Sequence, residues 1–338
     1  MRVSTTIEGV SYPALTALAT QFCADLGVPI ARDDCDSTQF LTPNGRISLT
    51  ANPTGVGLLL DCPDEKTCYE LRDSLVRLLA GALPETAVAL TWSDDVEAGA
   101  FPPNFQIATV LHSAPLGPAF QRVTLKLPKP QLFEDDAIHF RVVLPLDKGA
   151  DPIWPRLAAN GATVWPQGAQ TLHRPVYTVR HRRDDEIDMD VLLHAGGRVP
   201  AWAQECQPGD VLAILGPTGA GTLDQSKVLL CGDAAAFPAI ARIINELPEA
   251  AIGKVLLCSA DGMPTYPIPT RAGISVDWFS QDKFFSAVET AMAAADRYLW
   301  IAAEAEVVSA LRQTATFKAR DKHTTYCAAF WSRDGSAS

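Results

Sequence analysis

Thr171–Arg183, TLHRPVYTVRHRR, sets a short β-type run, Val176-Tyr177-Thr178-Val179, among Arg174, Arg180, Arg182, Arg183, His173 and His181. The chain around it carries a net charge of −11, so this stretch is a local anomaly. It is either a strand with a solvated basic edge or a strand whose arginines face an anion. A guanidinium is planar, permanently charged and able to grip two oxygens at once, which gives the second reading its chemistry.

With 338 residues and 47% hydrophobic side chains, the chain is long enough for two or three globular cores. Its acidity argues against a surface built for nucleic-acid phosphates or anionic lipid. The start, Met1-Arg2-Val3-Ser4-Thr5-Thr6, lacks the apolar stretch of a signal peptide. No later run reaches the roughly 18 apolar residues of a membrane span. The expectation is a soluble cytoplasmic protein with no membrane insertion and no nucleic-acid partner. The 8 cysteines form no Cys-x-x-Cys pair and the 6 histidines show no metal-type spacing, so reduced, buried thiols and no metal site are expected.

Three regions separate by pattern. Residues 1–97 read as a small α+β domain: YPALTALATQFCADLG has helical spacing, strands follow, punctuated at Asn44-Gly45 and Asn52-Pro53, and a second helix starts at Cys68. SDDVEAGAFPPN, residues 93–104, reads as a linker. In residues 98–224 six β-type runs, FQIATVLHSA, FQRVTLKLP, AIHFRVVLP, VYTVRHRR, IDMDVLLH and DVLAILGP, predict a six-stranded antiparallel β-barrel. Ile187-Asp188-Met189-Asp190-Val191 alternates as a half-buried strand does. In residues 225–338 near-continuous apolar strands alternate with amphipathic helices, which predicts a parallel-sheet α/β domain. Its ligand crevice is expected beyond the strand carboxyl ends, at Gly232-Asp233-Ala234 and Glu304. The fold class is multidomain, α/β plus all-β.

Several chemistries are poorly supported. GPTGAG, residues 216–221, is followed by Thr222 where a phosphate loop needs lysine, so it reads as a turn between domains. No Gly-x-Gly-x-x-Gly follows a strand, and no Gly-x-Ser-x-Gly elbow supports a serine hydrolase.

The quoted stretch resembles the Arg-x-Tyr-Thr-x-Arg flavin signature of siderophore-interacting proteins, a branch of the ferredoxin-reductase superfamily. Three further segments are similar to that family's motifs in the same order: IDMDVLLHAGGRVPAWAQECQPGDVLAILGPTG, LLCGDAAAFPAIARIINELP, and YLWIAAEAEVVSALR with the terminal AAFWSRDG. The resemblance runs from about Phe101 to Gly335, and the N-terminal part looks like a small uncharacterised domain fused to some members.

The resemblance implies FAD on the barrel. Tyr177 and Thr178 would meet the isoalloxazine at the reacting centre, the first with its ring and the second by a hydrogen bond near N5. Val179 lies between them and the arginines, and Arg174 and Arg180 would hold the pyrophosphate. Backbone N–H groups from Gly197 through Val199 and Pro200 to Ala201, opening a helix through Trp202, would complete the phosphate site, with His194 beside them. Asp233, Glu304 and Trp331 would serve the nucleotide domain, which implies NADPH or NADH. Three departures stand out. Pro175 occupies the place two before Tyr177, so Arg174 needs a bulge to reach the anion or Arg180 acts alone. GGRVPAWA loses a serine and gains Arg198, and Ala234-Ala235 and Ala303 replace family residues in the nucleotide domain.

The implied activity is reduction of a ferric siderophore by electrons from NAD(P)H through FAD. The rival readings are the same flavoprotein driven by reduced ferredoxin, a non-catalytic siderophore or haem binder, and a different barrel flavoenzyme such as a flavin or quinone reductase.

Overall fold

The computed structural model describes residues 1–25, 28–133, 138–146, 151–219, 223–293 and 296–333. Leu26-Gly27 of the first helical stretch, Ala137 of the third β run, Ala220-Gly221 of the GPTGAG turn with Thr222 after it, Ala294-Ala295 and the terminal Asp334-Gly335 lie outside them. The chain divides into two compact units, Met1–Phe105 with Pro145–Leu172, and Gln106–Leu144 with His173–Ser338.

In the first unit, strands β1 (Arg2–Glu8), β2 (Ile30–Asp33), β3 (Ser37–Thr42), β4 (Gly45–Asn52) and β5 (Gly55–Asp61) form an antiparallel sheet in the order β1-β5-β4-β3-β2. Alternation sends Val56, Leu58 and Leu60 to one face, as the two-residue period of a strand requires. There they share a core with Leu15 of helix α1 (Tyr12–Asp25) and Cys68, Leu71, Val76 and Leu79 of α2 (Glu65–Ala82). The second helix starts ahead of Cys68 because the Asp64 carboxylate accepts the Thr67 N–H at 2.8 Å and caps it. A short α3 (Pro84–Ala89) follows.

Strands β6 (Phe105–Leu116), β7 (Phe120–Lys126) and β8 (His139–Pro145) begin the antiparallel sheet of the second unit. Between them and the rest of that sheet the chain returns to the first unit as a small hairpin, β9 (Arg156–Leu157) and β10 (Thr163–Val164). The hairpin is held there by polar contacts that periodicity does not announce. Asp73 accepts the Thr163 N–H at 2.7 Å, and the Trp92 Nε1–H reaches the Asn160 carbonyl at 2.8 Å. The expected linker is likewise tied down, with Arg72 paired to Asp94 at 2.5 Å.

The antiparallel sheet continues with β11 (Leu172–His173), β12 (Val176–Thr178), β13 (His181–Arg183), β14 (Glu186–Leu192) and β15 (Val211–Thr218), in the order β11-β8-β15-β6-β7-β14-β13 with β12 also on β8. It therefore has eight strands where the sequence reading counts six, because VYTVRHRR breaks into two pieces with different neighbours and β11, covered by none of the six runs, adds another. Val179 donates its N–H to Ile138 O at 2.8 Å and Arg180 donates to Asp188 O at 2.7 Å, so the run leaves β8 and joins β14 within two residues. The run thus bonds first to β8 and then to β14. Inward residues of β6, β7, β8 and β14, among them Val110, Leu125, Phe140 and Met189, fill the interior, and α4 (Arg198–Glu205) adds Val199 and Ala203.

The rest of the second unit is a parallel sheet in the order β18-β17-β16-β19-β20, from β16 (Lys227–Gly232), β17 (Ile252–Cys258), β18 (Ile274–Phe279), β19 (Tyr298–Glu304) and β20 (Thr325–Trp331). Helix α5 (Phe237–Glu246), with Pro238 in its first turn, packs in one core, and α6 (Gln281–Met292) and α7 (Ala305–Gln313) in another. Short α8 (Ala315–Lys318) leads into β20. The order reverses between β16 and β19, whose carboxyl ends carry Asp233 and Glu304, so the crevice position follows from topology. No described helix is long and apolar enough to cross a membrane. Among the described residues no group of three His, Cys, Asp or Glu could hold a metal ion.

One close approach in the first sheet offers a test. A Cβ on Gly55 would lie 2.1 Å from the Ile7 carbonyl oxygen of β1. Gly55→Ala is expected to lower stability by about 1–3 kcal/mol, the scale of overpacking, read as a fall in the thermal midpoint of the full chain; an unchanged midpoint would show that β1 can yield.

Candidate functional site

Tyr177, Thr178, Val179 and Arg180 occupy the segment where the antiparallel path switches neighbours. Tyr177 is half-buried with its ring against the interior core, and burial pushes its hydroxyl pKa up, so it stays neutral. Thr178 is buried, its Oγ1 3.5 Å from His139 Nδ1. The His139 ring is buried too and stands edge-on to Phe330 at 5.5 Å. The Val179 carbonyl accepts from Arg242 Nη1 at 2.8 Å, which fastens the parallel module to this strand.

Arg180 is the most informative residue. It is 6% exposed, its Nε donates to the Tyr266 hydroxyl at 3.1 Å, and its Nη1 is buried without a hydrogen-bond partner. An unmet N–H on a buried cation is costly, and an anion's oxygen is the partner that removes the cost. Arg174 stands differently. Its side chain is exposed and its carbonyl accepts from Arg141 Nη1 at 2.8 Å. The register Val176↔Arg141, Tyr177↔Phe140, Thr178↔His139 runs without a shift, and Val142 N–H reaches Pro175 O at 3.0 Å. Arg180 is therefore the buried arginine of the pair.

The basic run is balanced from β14. Asp188 and Asp190 are both 3% exposed, so the alternation that reads as half-solvated is in fact buried on both faces. Each acid is there because it is paired. Asp188 accepts from Thr124, His181 and both Nη atoms of Arg183. Burial alone would raise its pKa, yet these bonds hold it well below the carboxylate range. Asp190 takes Arg122 bidentately, 2.7 Å at each oxygen, and also accepts from the Tyr266 hydroxyl.

The loop before α4 has a narrower offer than the sequence suggests. Gly197 caps the helix without a side chain, and its carbonyl accepts the Ala201 N–H at 3.1 Å. Pro200 has no N–H, so Arg198 and Val199 carry the amides of that first turn. His194 is exposed, its Nδ1 3.2 Å from the Ala195 carbonyl oxygen. Its ring leaves no room on Gly197, where a Cβ would meet His194 Cε1 and Pro200 Cγ at 2.6 Å each. Trp202 is half-buried beside the interior core.

Asp233, Glu304 and Trp331 do come together. Asp233 Oδ2 accepts the Glu304 N–H and the Trp331 Nε1–H, each at 2.8 Å, and Oδ1 accepts Ala235 N–H at 3.1 Å. Burial raises the Asp233 pKa against the pull of these bonds. Glu304, 4% exposed, caps α7 through Glu306 N–H at 2.8 Å. The Asp233 carboxylate thus ties the ends of β16, β19 and β20, and the Glu304 carboxylate holds the start of α7. His139, Tyr266 and Arg122 carry no sequence motif, and nothing in the local pattern singles them out, whereas Arg242 lies in the quoted LLCGDAAAFPAIARIINELP segment.

Residues 109–221 match the family model described as siderophore-interacting FAD-binding domain, and residues 225–334 match that described as siderophore-interacting protein. With these matches, the antiparallel sheet and the parallel module in succession define the class, an FAD-binding protein of the ferredoxin-reductase superfamily. Within that class the chain belongs to the siderophore-interacting protein family, the two matches taking in more than half of it.

Among curated relatives, the chain is 26% identical over 239 residues to an NADPH-dependent ferric-chelate reductase of Escherichia coli, covering 67% of this chain and 92% of that one. It is 27% identical over 220 residues to a ferric vibriobactin reductase of Vibrio cholerae, covering 59% and 78%. The fold is similar to a siderophore utilization protein from T. fusca, with a TM-score of 0.60 at 22% identity over 71% of this chain and 97% of that one. It is also similar to the siderophore-interacting protein SipS from Aeromonas hydrophila, with a TM-score of 0.57 at 24% identity over 68% and 92%.

His139 makes the site sensitive to acid. Burial, then the charge of Arg242, lowers its pKa to about 4, although a bond to the Tyr177 backbone opposes them. An unfolded histidine protonates near about pH 6.5, so between the two values the unfolded chain binds more protons. The stability held by neutral His139 is complete above that window and lost as pH falls through it. Between pH 7 and 5 the loss from this group is expected to be about 2 kcal/mol, measured as a shift in urea midpoint that shrinks in His139→Gln; equal shifts in both proteins would refute it.

Proposed function

We propose that the chain is an FAD-dependent reductase of ferric siderophores, acting in the cytoplasm with electrons from NADPH or NADH. The observation that carries this reading is the buried, unpartnered Nη1 of Arg180 within the segment that matches an FAD-binding domain. On this reading the antiparallel sheet, within residues 98–224, is the FAD barrel and residues 225–338 are the nucleotide-binding-like domain. Relatives named as ferric-chelate and ferric vibriobactin reductases support the substrate class.

The residues present fit the cofactor. Arg180 would hold a pyrophosphate oxygen on Nη1, with the amides of Arg198 and Val199 as further donors. Tyr177 offers a neutral aromatic face, and Thr178 a hydroxyl whose direction is set by His139. Bound there, FAD supplies the conversion from a two-electron donor to the one-electron Fe(III) acceptor. The protein's own work is to bind, orient and exclude water, since buried Val179, Thr178 and His139 line the strand where the reacting ring would lie. Fe(II), softer and less charged than Fe(III), is held more weakly by hard oxygen ligands, so reduction favours iron release.

A reduced ferredoxin is the second reading for the donor. It is favoured by Asp233 and Glu304, whose carboxylates are already engaged by backbone and Trp331 donors, and by Ala234-Ala235 beside them.

The purified protein is expected to be yellow, bleached by NADPH or NADH without oxygen, and recoloured by a ferric siderophore. A colourless protein that takes up no FAD would sink the proposal, and bleaching by reduced ferredoxin alone would move it to the second reading. Arg180→Ala is expected to weaken FAD binding at least roughly tenfold, the loss of a charge-assisted bond, measured by flavin fluorescence; unchanged affinity would remove Arg180 from the site.

A further inference from the structure

Tyr266 lies on the irregular segment between β17 and β18, outside every motif of the flavin signature. Its ring is 5% exposed and gripped by two others, Phe120 at 4.7 Å edge-on and Phe237 at 6.1 Å. The grip places the hydroxyl between opposite charges. It donates to Asp190 Oδ2 and accepts from Arg180 Nε at 3.1 Å. A phenol has one proton to give, and burial pushes the Tyr266 pKa up so that it keeps it.

The four groups form a line, Arg122 to Asp190 to Tyr266 to Arg180. Arg122 satisfies Asp190 bidentately, and the tyrosine oxygen keeps Arg180 from pairing with that acid directly. Because a guanidinium is rigid and planar, a fixed Nε also fixes the direction in which Nη1 points. Without the hydroxyl, the nearest compensation for Arg180 is Asp190 itself, and an arginine turned onto that carboxylate no longer presents its open N–H.

We infer that Tyr266 is a positioning residue, contributed by the parallel module, that holds the Arg180 guanidinium open toward a phosphate oxygen of the cofactor. The inference rests on the reading of Arg180 as a pyrophosphate partner. It assigns part of the FAD site to a loop of the nucleotide-binding-like module, although the loop touches the cofactor only through Arg180.

The experiment compares FAD with riboflavin, which has the ring system but no phosphate, on the full-length protein stripped of flavin. Tyr266→Phe keeps the ring packing and removes the hydroxyl. It is expected to weaken FAD binding about tenfold, the scale of one bond to a charged group, while riboflavin affinity stays within about twofold. Unchanged FAD affinity, or equal losses for both flavins, would overturn the positioning role. Arg180→Ala separates the two layers of the argument. A selective FAD loss there but not in Tyr266→Phe defeats the inference alone, and no FAD loss in Arg180→Ala defeats the pyrophosphate reading beneath it.

Discussion

Two consecutive backbone bonds govern the second unit: Val179 N–H to Ile138 O and Arg180 N–H to Asp188 O. They are formed to different neighbours, so a single extended run bonds first to β8 and then to β14. Everything chemical in the unit is arranged around that switch. Before it, pairing with β8 sets Thr178 opposite His139. After it, pairing with β14 sets His181 opposite Asp188. The residue at the switch itself, Arg180, belongs to neither ladder's interior and turns to Tyr266 instead.

The charge anomaly resolves in the same place. Arg183 and His181 answer Asp188, Arg122 answers Asp190, and only the Arg180 guanidinium retains a buried unmatched N–H among these groups. A buried ion pair is a weak source of stability because desolvation offsets much of the attraction. Its value here is directional, since each acid is fully assigned and neither draws Arg180 out of line.

How far the sequence could be read follows from what periodicity reports. It reports which face of an element is apolar, so the alternating strands and helices of the parallel module were legible. It does not report partners. VYTVRHRR looks like one strand because its residues are uniformly extended, and only the identity of its neighbours splits it. Asp190 looks solvated because its counter-charge, Arg122, is distant in the chain, and Asp188 because Arg183 and His181 meet it only once β13 folds back on β14. Arg180 could be singled out by resemblance, but His139 and Tyr266 lie far from it in sequence and acquire meaning only through long-range pairing.

The hairpin of β9 and β10 gives the chain an unusual path, since it leaves the antiparallel sheet after β8, joins the first unit, and comes back for the switching strand. The N-terminal body is therefore made of two separated pieces of chain. Removing residues 1–97 would strip Thr163 of its Asp73 acceptor and Asn160 of its Trp92 donor. Two complete modules joined end to end would cross from one unit to the other once, whereas this chain crosses three times. The pieces of chain that build the two units alternate along the sequence, so each constrains which pieces of the other can be exchanged.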